Sequence, residues 1–71
     1  MQHSNSFKVV VYYYNRVTNA YGNKVFYERI DRTQDMQTQI TYFENYYKHL
    51  FLHYYTKFEG LIFDSIKIYL I

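Results

Sequence analysis

Two histidines four residues apart, His49 and His53, are the side chains in this sequence with the clearest potential for chemistry. In a helix, that spacing places both imidazoles on one face, where they could share a metal ion. The sequence has no cysteine to complete such a site, and no glutamate stands between the histidines as in the metalloprotease motif. We therefore expect no metal and no cofactor, and we interpret both histidines as half-buried interface residues.

The other reactive residue types give little support for catalysis. The six acidic residues are scattered along the chain, and the sequence has neither a cysteine nucleophile nor a glycine-rich phosphate loop. A small ribonuclease that uses histidine, tyrosine and arginine is the enzymatic alternative, since general acid–base catalysis needs only a few placed groups. We favour a protein that binds and does not catalyse.

Aromatic residues are the unusual feature of the composition. Eleven tyrosines and six phenylalanines make up 24% of the 71 residues. The length predicts one domain, and a domain this small buries only about 60% of the surface that its unfolded chain exposes. Because the chain has no disulfide to compensate, association with a second copy is the expected source of additional stability, and we predict a homodimer.

Net charge, hydrophobicity and codon usage indicate which partners, which cellular location and which kind of source organism to expect. The net charge of +2 permits a nucleic-acid partner without arguing for one. No stretch reaches the roughly 18 apolar residues of a membrane span, so we expect a cytoplasmic protein without a membrane partner. Tyrosine, phenylalanine, isoleucine, asparagine and lysine have AT-rich codons, which indicates an AT-rich bacterium, its phages or its plasmids.

Three strands are predicted from runs of β-branched and aromatic residues. Residues 7–14, which overlap the segment KVVVYYYN (residues 8–15), form the first strand, residues 25–30 the second and residues 61–71 the third. Asparagines and a glycine between the first two runs predict a hairpin.

A long helix is predicted between the second and third strands. Thr33 is expected to cap it, with Asp35 in the first turn and Gly60 in the left-handed position just past its end. Apolar residues recur at steps of three and four, which predicts one core-facing stripe. The stripe consists of Met36, Ile40, Phe43, Tyr47, Leu50, Phe51, Tyr54 and Phe58.

The order of these elements predicts an α+β fold of two layers. We expect a three-stranded, mainly antiparallel sheet of strand order 2-1-3 that packs on one long helix, with the topology ββαβ. Residues 7–71 form this single domain, and residues 1–6 are expected to be a flexible N-terminus.

One helix covers only one face of such a sheet, so the other face of the first strand must be covered differently. One phase of the alternation turns Val9 toward the helix and Tyr12 and Tyr14 away from it. The opposite phase would also leave aromatic side chains on the uncovered face. Tyr69 and Phe63 in the third strand are expected to point the same way as the two tyrosines. We interpret this aromatic face as a surface for a protein partner.

The second half of the helix is also rich in apolar side chains. Its segment LFLHYY is apolar nearly all round, and Leu52 and Tyr55 are expected to lie away from the core stripe. We therefore expect both to contact a partner. A flanking stripe on the same helix extends the predicted partner surface: Tyr42, Tyr46, His49 and His53.

The hairpin tip is a further candidate contact. Arg16, Tyr21 and Lys24 are expected near it and would combine an aromatic ring with two cations, which could insert into a groove of a partner. A solvated turn is the alternative interpretation.

The favoured function is that of a small binding protein. In size, AT-rich codon usage and scarcity of catalytic residues, the chain resembles small phage-encoded proteins that block a host factor, such as anti-CRISPR and other anti-defence proteins. The resemblance implies a phage or mobile-element inhibitor that binds and occludes a host protein. The alternative is a small nucleic-acid-binding regulator, because tyrosines on a sheet face beside basic residues resemble the base-stacking surfaces of RNA-binding modules.

Overall fold

The computed structural model describes residues 5–71 and has the predicted order of elements. Strands β1 (Ser6–Asn15) and β2 (Ala20–Arg29) form a hairpin, and β3 (Leu61–Leu70) ends the chain. The sheet order is β2-β1-β3, and β1 pairs antiparallel with both neighbours. The predicted α+β class, strand order and topology are therefore confirmed.

The helical layer has three consecutive parts. Helix α1 (Met36–Leu50) continues into a π-helical turn (Phe51–Tyr55) and then into the short helix α2 (Thr56–Glu59). This layer lies closer to β3 than to β2. Because of this asymmetry, the helix contacts β2 through long side chains.

The hairpin turns earlier than the sequence predicted. The side chain of Asn15 accepts hydrogen bonds from the backbone N–H groups of Val17 and Thr18, at 2.9 and 3.2 Å. Asn19 then adopts a left-handed backbone with φ 56°, which asparagine tolerates well. Because the turn is complete by residue 19, β2 begins at Ala20, five residues before the predicted start.

The helix starts at a different cap from the predicted one. Asp35, and not Thr33, is the N-cap, and its carboxylate accepts a 3.0 Å hydrogen bond from the backbone N–H of Thr38. Thr33 instead donates its hydroxyl and its backbone N–H to Asp31, at 2.6 and 2.9 Å. These bonds, the hydroxyl bond first, lower the pKa of the Asp31 carboxyl. Gly60 ends the helix in the left-handed conformation, with φ 71°, as predicted.

The π-helical turn changes which side chains reach the core. A π-helical hydrogen bond spans one residue more than an α-helical bond, so the core-facing position after Phe51 falls at Tyr55. Tyr55 accordingly packs against the core, while Tyr54 is 48% and Phe58 72% exposed. The prediction that Tyr54 and Phe58 belong to the core stripe, and that Tyr55 lies away from it, is therefore wrong.

The core lies between the helical layer and one face of the sheet. Its two bulkiest fully buried side chains are Phe7 from β1 and Phe51 from the π-helical turn. The buried apolar cluster consists of Phe7, Val9, Val11, Ile30, Tyr47, Phe51 and Leu61.

The N-terminal end of the described chain is bonded to the sheet. Ser6 belongs to β1, and the backbone N–H of Asn5 donates to the carbonyl of Ile71 at 3.0 Å. Residues 1–4 of the predicted flexible segment lie outside the described residues. Within residues 5–71, no helix combines the length and the apolar character that crossing a membrane requires.

Candidate functional site

The two faces of β1 have different surroundings. Phe7, Val9 and Val11 are fully buried against the helical layer. Because successive side chains of a strand point to opposite faces, Tyr12 and Tyr14 lie on the face without a helix, which we call the open face. The structure therefore selects the first of the two phases that the sequence allowed.

Strand register arranges the open-face residues from Lys8 to Tyr14 and their partners into four rows across the sheet, and Ser6 pairs with Arg29 beyond them. Rows are about 7 Å apart, because each row is two residues further along β1. The rows are Tyr27–Lys8–Tyr69, Val25–Val10–Lys67, Asn23–Tyr12–Ser65 and Tyr21–Tyr14–Ile62. The open face thus brings together the three tyrosines predicted for it, and it adds Tyr21 and Tyr27 from β2.

A shallow groove of about 560 Å³ lies in the middle of the open face. Val10 forms its floor and is only 7% exposed, although no helix covers it. Neighbouring side chains on the same face surround this valine. Those lining the groove are Lys8, Tyr12, Asn23, Val25 and Tyr69, together with the chain end Leu70 and Ile71.

The tyrosines of the open face differ in how firmly they are held. Tyr14 donates its hydroxyl to the Asn19 side chain at 2.8 Å and packs edge-on against Tyr21, with ring centroids 5.1 Å apart. Tyr27 and Tyr69 are 63% and 45% exposed. The hairpin end of this face is therefore fixed by contacts, while Tyr27 and Tyr69 present accessible rings beside Lys8.

Charge on the open face is of one sign. Lys8, Lys67 and Arg29 occupy open-face positions in the register, and none of the described residues at these positions is acidic. Asp64 lies at the rim, where it lines a small groove with Tyr12 and Lys67. The other carboxylates lie on the helix side of the sheet, in the loop before α1 or in the helical layer, so the open face is basic although the whole chain is nearly neutral.

A bulge in β3 removes one predicted member of this surface. The pairing of β1 with β3 shifts between Tyr12 and Tyr13, so that Phe63 pairs with Tyr13 on the helix side. There Phe63 packs against Phe51, with ring centroids 6.3 Å apart. The prediction that Phe63 points the same way as Tyr69 is therefore wrong.

The flanking stripe of the helix forms a second, separate surface. Tyr42 and Tyr46 stack with ring planes 16° apart, and His49 and His53 meet edge-on at 5.9 Å. Tyr42 and Tyr46 line a small groove with Glu28, which places them on the side of the helix that faces β2. Among residues 5–71, no group of three or more potential metal ligands includes the histidine pair.

The remaining predicted contacts are dispersed. Leu52 is half exposed, whereas Tyr55 packs on the core with Lys24 over its ring, 5.1 Å from the centroid. Lys24 pairs with Val11 in the middle of β2, on the helix side of the sheet. Tyr21 belongs to the open face, and only Arg16 lies in the turn, so the predicted hairpin-tip cluster is not assembled.

A buried tyrosine connects the helix to β2. Tyr47 is 4% exposed, stacks on Phe26 with ring centroids 4.6 Å apart, and donates its hydroxyl to the carboxylate of Glu28. Burial first, and the bond to Glu28 second, raise the pKa of Tyr47 well above its usual value. This arrangement favours a structural role, because the proton is held firmly and the hydroxyl is enclosed.

No family model, curated protein or solved structure matches the chain. The open face must therefore be judged on its own geometry. Sequence reasoning missed the contribution of Val25 and Tyr27, because it treated only the first and third strands as donors of the aromatic face. The alternation in AYGNKVFYER, with Tyr21, Val25 and Tyr27 in one phase, was the signal that could have found them.

Proposed function

We propose that the protein is a non-enzymatic binding module that occludes a protein partner with its open face. The observation that carries this proposal is the groove over Val10, which has an apolar floor and tyrosines at its margin. Binding energy at protein interfaces concentrates where such pockets receive one large apolar or aromatic side chain. Tyrosine suits the margin, because it offers a large rigid area at a small cost in conformational entropy.

The chemistry of the face also specifies the partner. An apolar side chain would enter the groove between Tyr12 and Tyr69, and carboxylates beside it would face Lys8 and Lys67. Complementary charge at the rim mainly accelerates association and selects the orientation of the partner. We therefore expect a partner segment in which an apolar residue is flanked by acidic ones.

Within this class, we propose a phage or mobile-element inhibitor of a host protein, of the anti-CRISPR or another anti-defence type. The small size, the AT-rich codon usage and the broad aromatic surface support this role. Such an inhibitor needs only to cover a working surface of its target, so a single rigid face suffices.

A nucleic-acid strand is the second candidate, and the basic character of the open face favours it. Tyr27 and Tyr69 flank Lys8 in one row, so exposed rings lie beside a cation that could contact a phosphate. The apolar floor of the groove favours protein over nucleic acid, because a strand that stacks its bases requires exposed ring faces more than a recess.

Capture from a lysate of the source organism tests the proposal. The bait is the wild-type chain, and the test variant is Tyr12→Ser/Tyr69→Ser, which removes two rings from the groove. The control is Tyr46→Ser/Tyr54→Ser, which also removes two tyrosines; these lie in the helical layer and are about as exposed as Tyr69, whereas Tyr12 is less exposed. Each bait is used with and without nuclease, after circular dichroism has shown that it is folded.

We expect wild type and control to capture the same protein after nuclease treatment, and the groove variant to lose it. Capture of nucleic acid alone, abolished by nuclease, would replace the protein proposal with the second candidate. A protein that the groove variant captures as well as wild type does would refute the role of the open face.

A further inference from the structure

Within residues 5–71, β2 is an edge strand, and no other strand pairs with the backbone groups on its outer side. The backbone N–H of Ile30 donates to the carbonyl of Asn5, which shows that the even-numbered residues of this ladder bond toward β1. Backbone direction alternates along an antiparallel strand, so Tyr21, Asn23, Val25, Tyr27 and Arg29 direct their N–H and C=O groups outward. Such an edge is a template for pairing with another strand.

The β2 edge is less protected than the β3 edge. β2 pairs with β1 along ten residues without a register shift, whereas a bulge at Tyr12 and Tyr13 interrupts the pairing of β3. The helical layer also lies nearer β3 and contacts β2 through the side chains of Tyr47 and Tyr55, which lie on one face of the strand and not along its outer edge. The sequence of β2 has no proline, the residue that most directly blocks edge pairing.

We propose that this edge pairs with the β2 strand of a second copy, antiparallel and centred on Phe26. In this register Lys24 lies opposite Glu28 of the second copy, and Glu28 opposite Lys24. On the open face, Val25 lies opposite Tyr27. The outward backbone groups of Val25 and Tyr27 then bond to each other across the twofold axis, as the direction of their N–H and C=O groups requires.

Complementary charges favour this register, and they favour a second copy of the chain as the source of the partner strand. Opposite charges directly across an antiparallel pair stabilise it, and like charges destabilise it. The strand is self-complementary about Phe26, since Lys24 and Glu28 are two residues to either side on the same face. A register centred on Lys24 would place two ammonium groups opposite each other, and one centred on Val25 would leave both charges without a partner.

The helical layer permits this arrangement. A twofold axis perpendicular to the sheet places both helices on the same side, and each helix lies nearer its own β3, so the space above the paired β2 strands is reached by side chains such as Tyr47, which stacks on Phe26. Tyr42 and Tyr46 line that space beside Glu28. The dimer would therefore have a continuous six-stranded sheet, and the two open faces would lie side by side.

Charge reversal at the two positions tests the proposal by light scattering after size exclusion. Wild type should have twice the 8.9 kDa chain mass at micromolar concentration. Lys24→Glu alone and Glu28→Lys alone each place like charges across both pairs, and each should weaken the dimer about tenfold or more. Glu28→Lys also removes the acceptor of the Tyr47 hydroxyl, so circular dichroism first establishes that each variant is folded. Mixed in equal amounts, the two variants should associate, because both mixed pairs are again of opposite charge.

Val25→Pro is a second variant that does not depend on charge. Its N–H points outward, so proline removes a bond of the dimer and none to β1. We expect a folded monomer by circular dichroism and light scattering. A wild-type monomer at every concentration, charge variants that remain dimeric, charge variants that fail to associate on mixing, or a dimeric Val25→Pro would each overturn the proposal. These measurements involve no partner protein, so their outcome is independent of the proposed function.

Discussion

Both faces of β1 carry valine and tyrosine side chains, but one face packs against the helical layer and the other is open. On the helix side, Phe7, Val9 and Val11 are fully buried, and their contacts hold the two layers together. On the open face, Val10 is the one β1 residue that is almost as buried, and Tyr12 of β1 and Tyr69 of β3 line the accessible groove above it. In β1, residue type alone therefore does not distinguish the core face from the open face. The position of the helix distinguishes them.

The largest effect should come from the helix side. Phe51→Ala removes a fully buried ring that packs against Tyr13, Tyr55 and Phe63. We expect a loss of about 3–5 kcal/mol of unfolding free energy, which is much of the stability of a small domain. Urea unfolding followed by circular dichroism measures it, and an unchanged midpoint would contradict the assigned core.

A smaller effect is expected from Tyr47→Phe, which keeps the ring but removes the hydroxyl that bonds to Glu28. The expected loss is about 1–2 kcal/mol. Because the pKa of Tyr47 is raised on folding, its contribution is full below the ordinary tyrosine pKa of about 10 and declines as the pH rises above it. Urea unfolding between pH 8 and about 11 should show a steeper alkaline loss in wild type than in Tyr47→Phe; equal slopes would exclude this linkage.

The helix cap should come next in magnitude. Asp35→Ala removes the side chain that caps α1 and should cost about 1 kcal/mol. Thr33→Ala is the matched control and should cost less than half as much, since the bonds that Thr33 donates within residues 5–71 go to the exposed Asp31. Thermal unfolding ranks the two variants, and the reverse order would restore Thr33 as the cap.

The smallest effect should come from the open face. Tyr27→Ser removes a ring that is 63% exposed, and we expect a change of no more than about 0.5 kcal/mol in unfolding free energy. Urea unfolding should place this variant beside wild type. A loss comparable to that of Phe51→Ala would show that the open face is part of the core, and the comparison between the two faces would fail.

Much of the fold could be predicted because its strongest signals are local. The runs of β-branched residues, the three- and four-residue spacing of α1 and the glycine at position 60 each determine a structure within a few residues. Strand order then follows, since a helix of this length has few ways to connect neighbouring strands.

The errors arose where one extra residue enters a regular element. The π-helical turn moves Tyr55 into the core in place of Tyr54, and the bulge in β3 turns Phe63 to the helix side. Gly22 was assigned to the turn for its flexibility, yet it lies under the ring of Tyr13, where a Cβ atom would approach the hydroxyl oxygen to 2.7 Å. Each of these depends on packing between distant segments, which periodicity within a single segment does not contain.

The open face was only partly predictable for the same reason. Tyr12, Tyr14 and Tyr69 were found from strand alternation alone, and all three lie on it. Tyr27 was missed because only the first and third strands were considered as sources of the aromatic face, and its place beside Lys8 depends on the hairpin register, which the side chain of Asn15 and the left-handed backbone of Asn19 help to determine.

Tyrosine nitration, mapped by mass spectrometry in the free protein and in the complex captured from lysate, tests the central claim most directly. The claim is that the open face, and not the helical layer, is the binding surface. We predict that Tyr12, Tyr27 and Tyr69 lose reactivity in the complex while Tyr54, at the far end of the helical layer, keeps it. Protection of Tyr54 with unchanged reactivity of Tyr12, Tyr27 and Tyr69 would contradict the account.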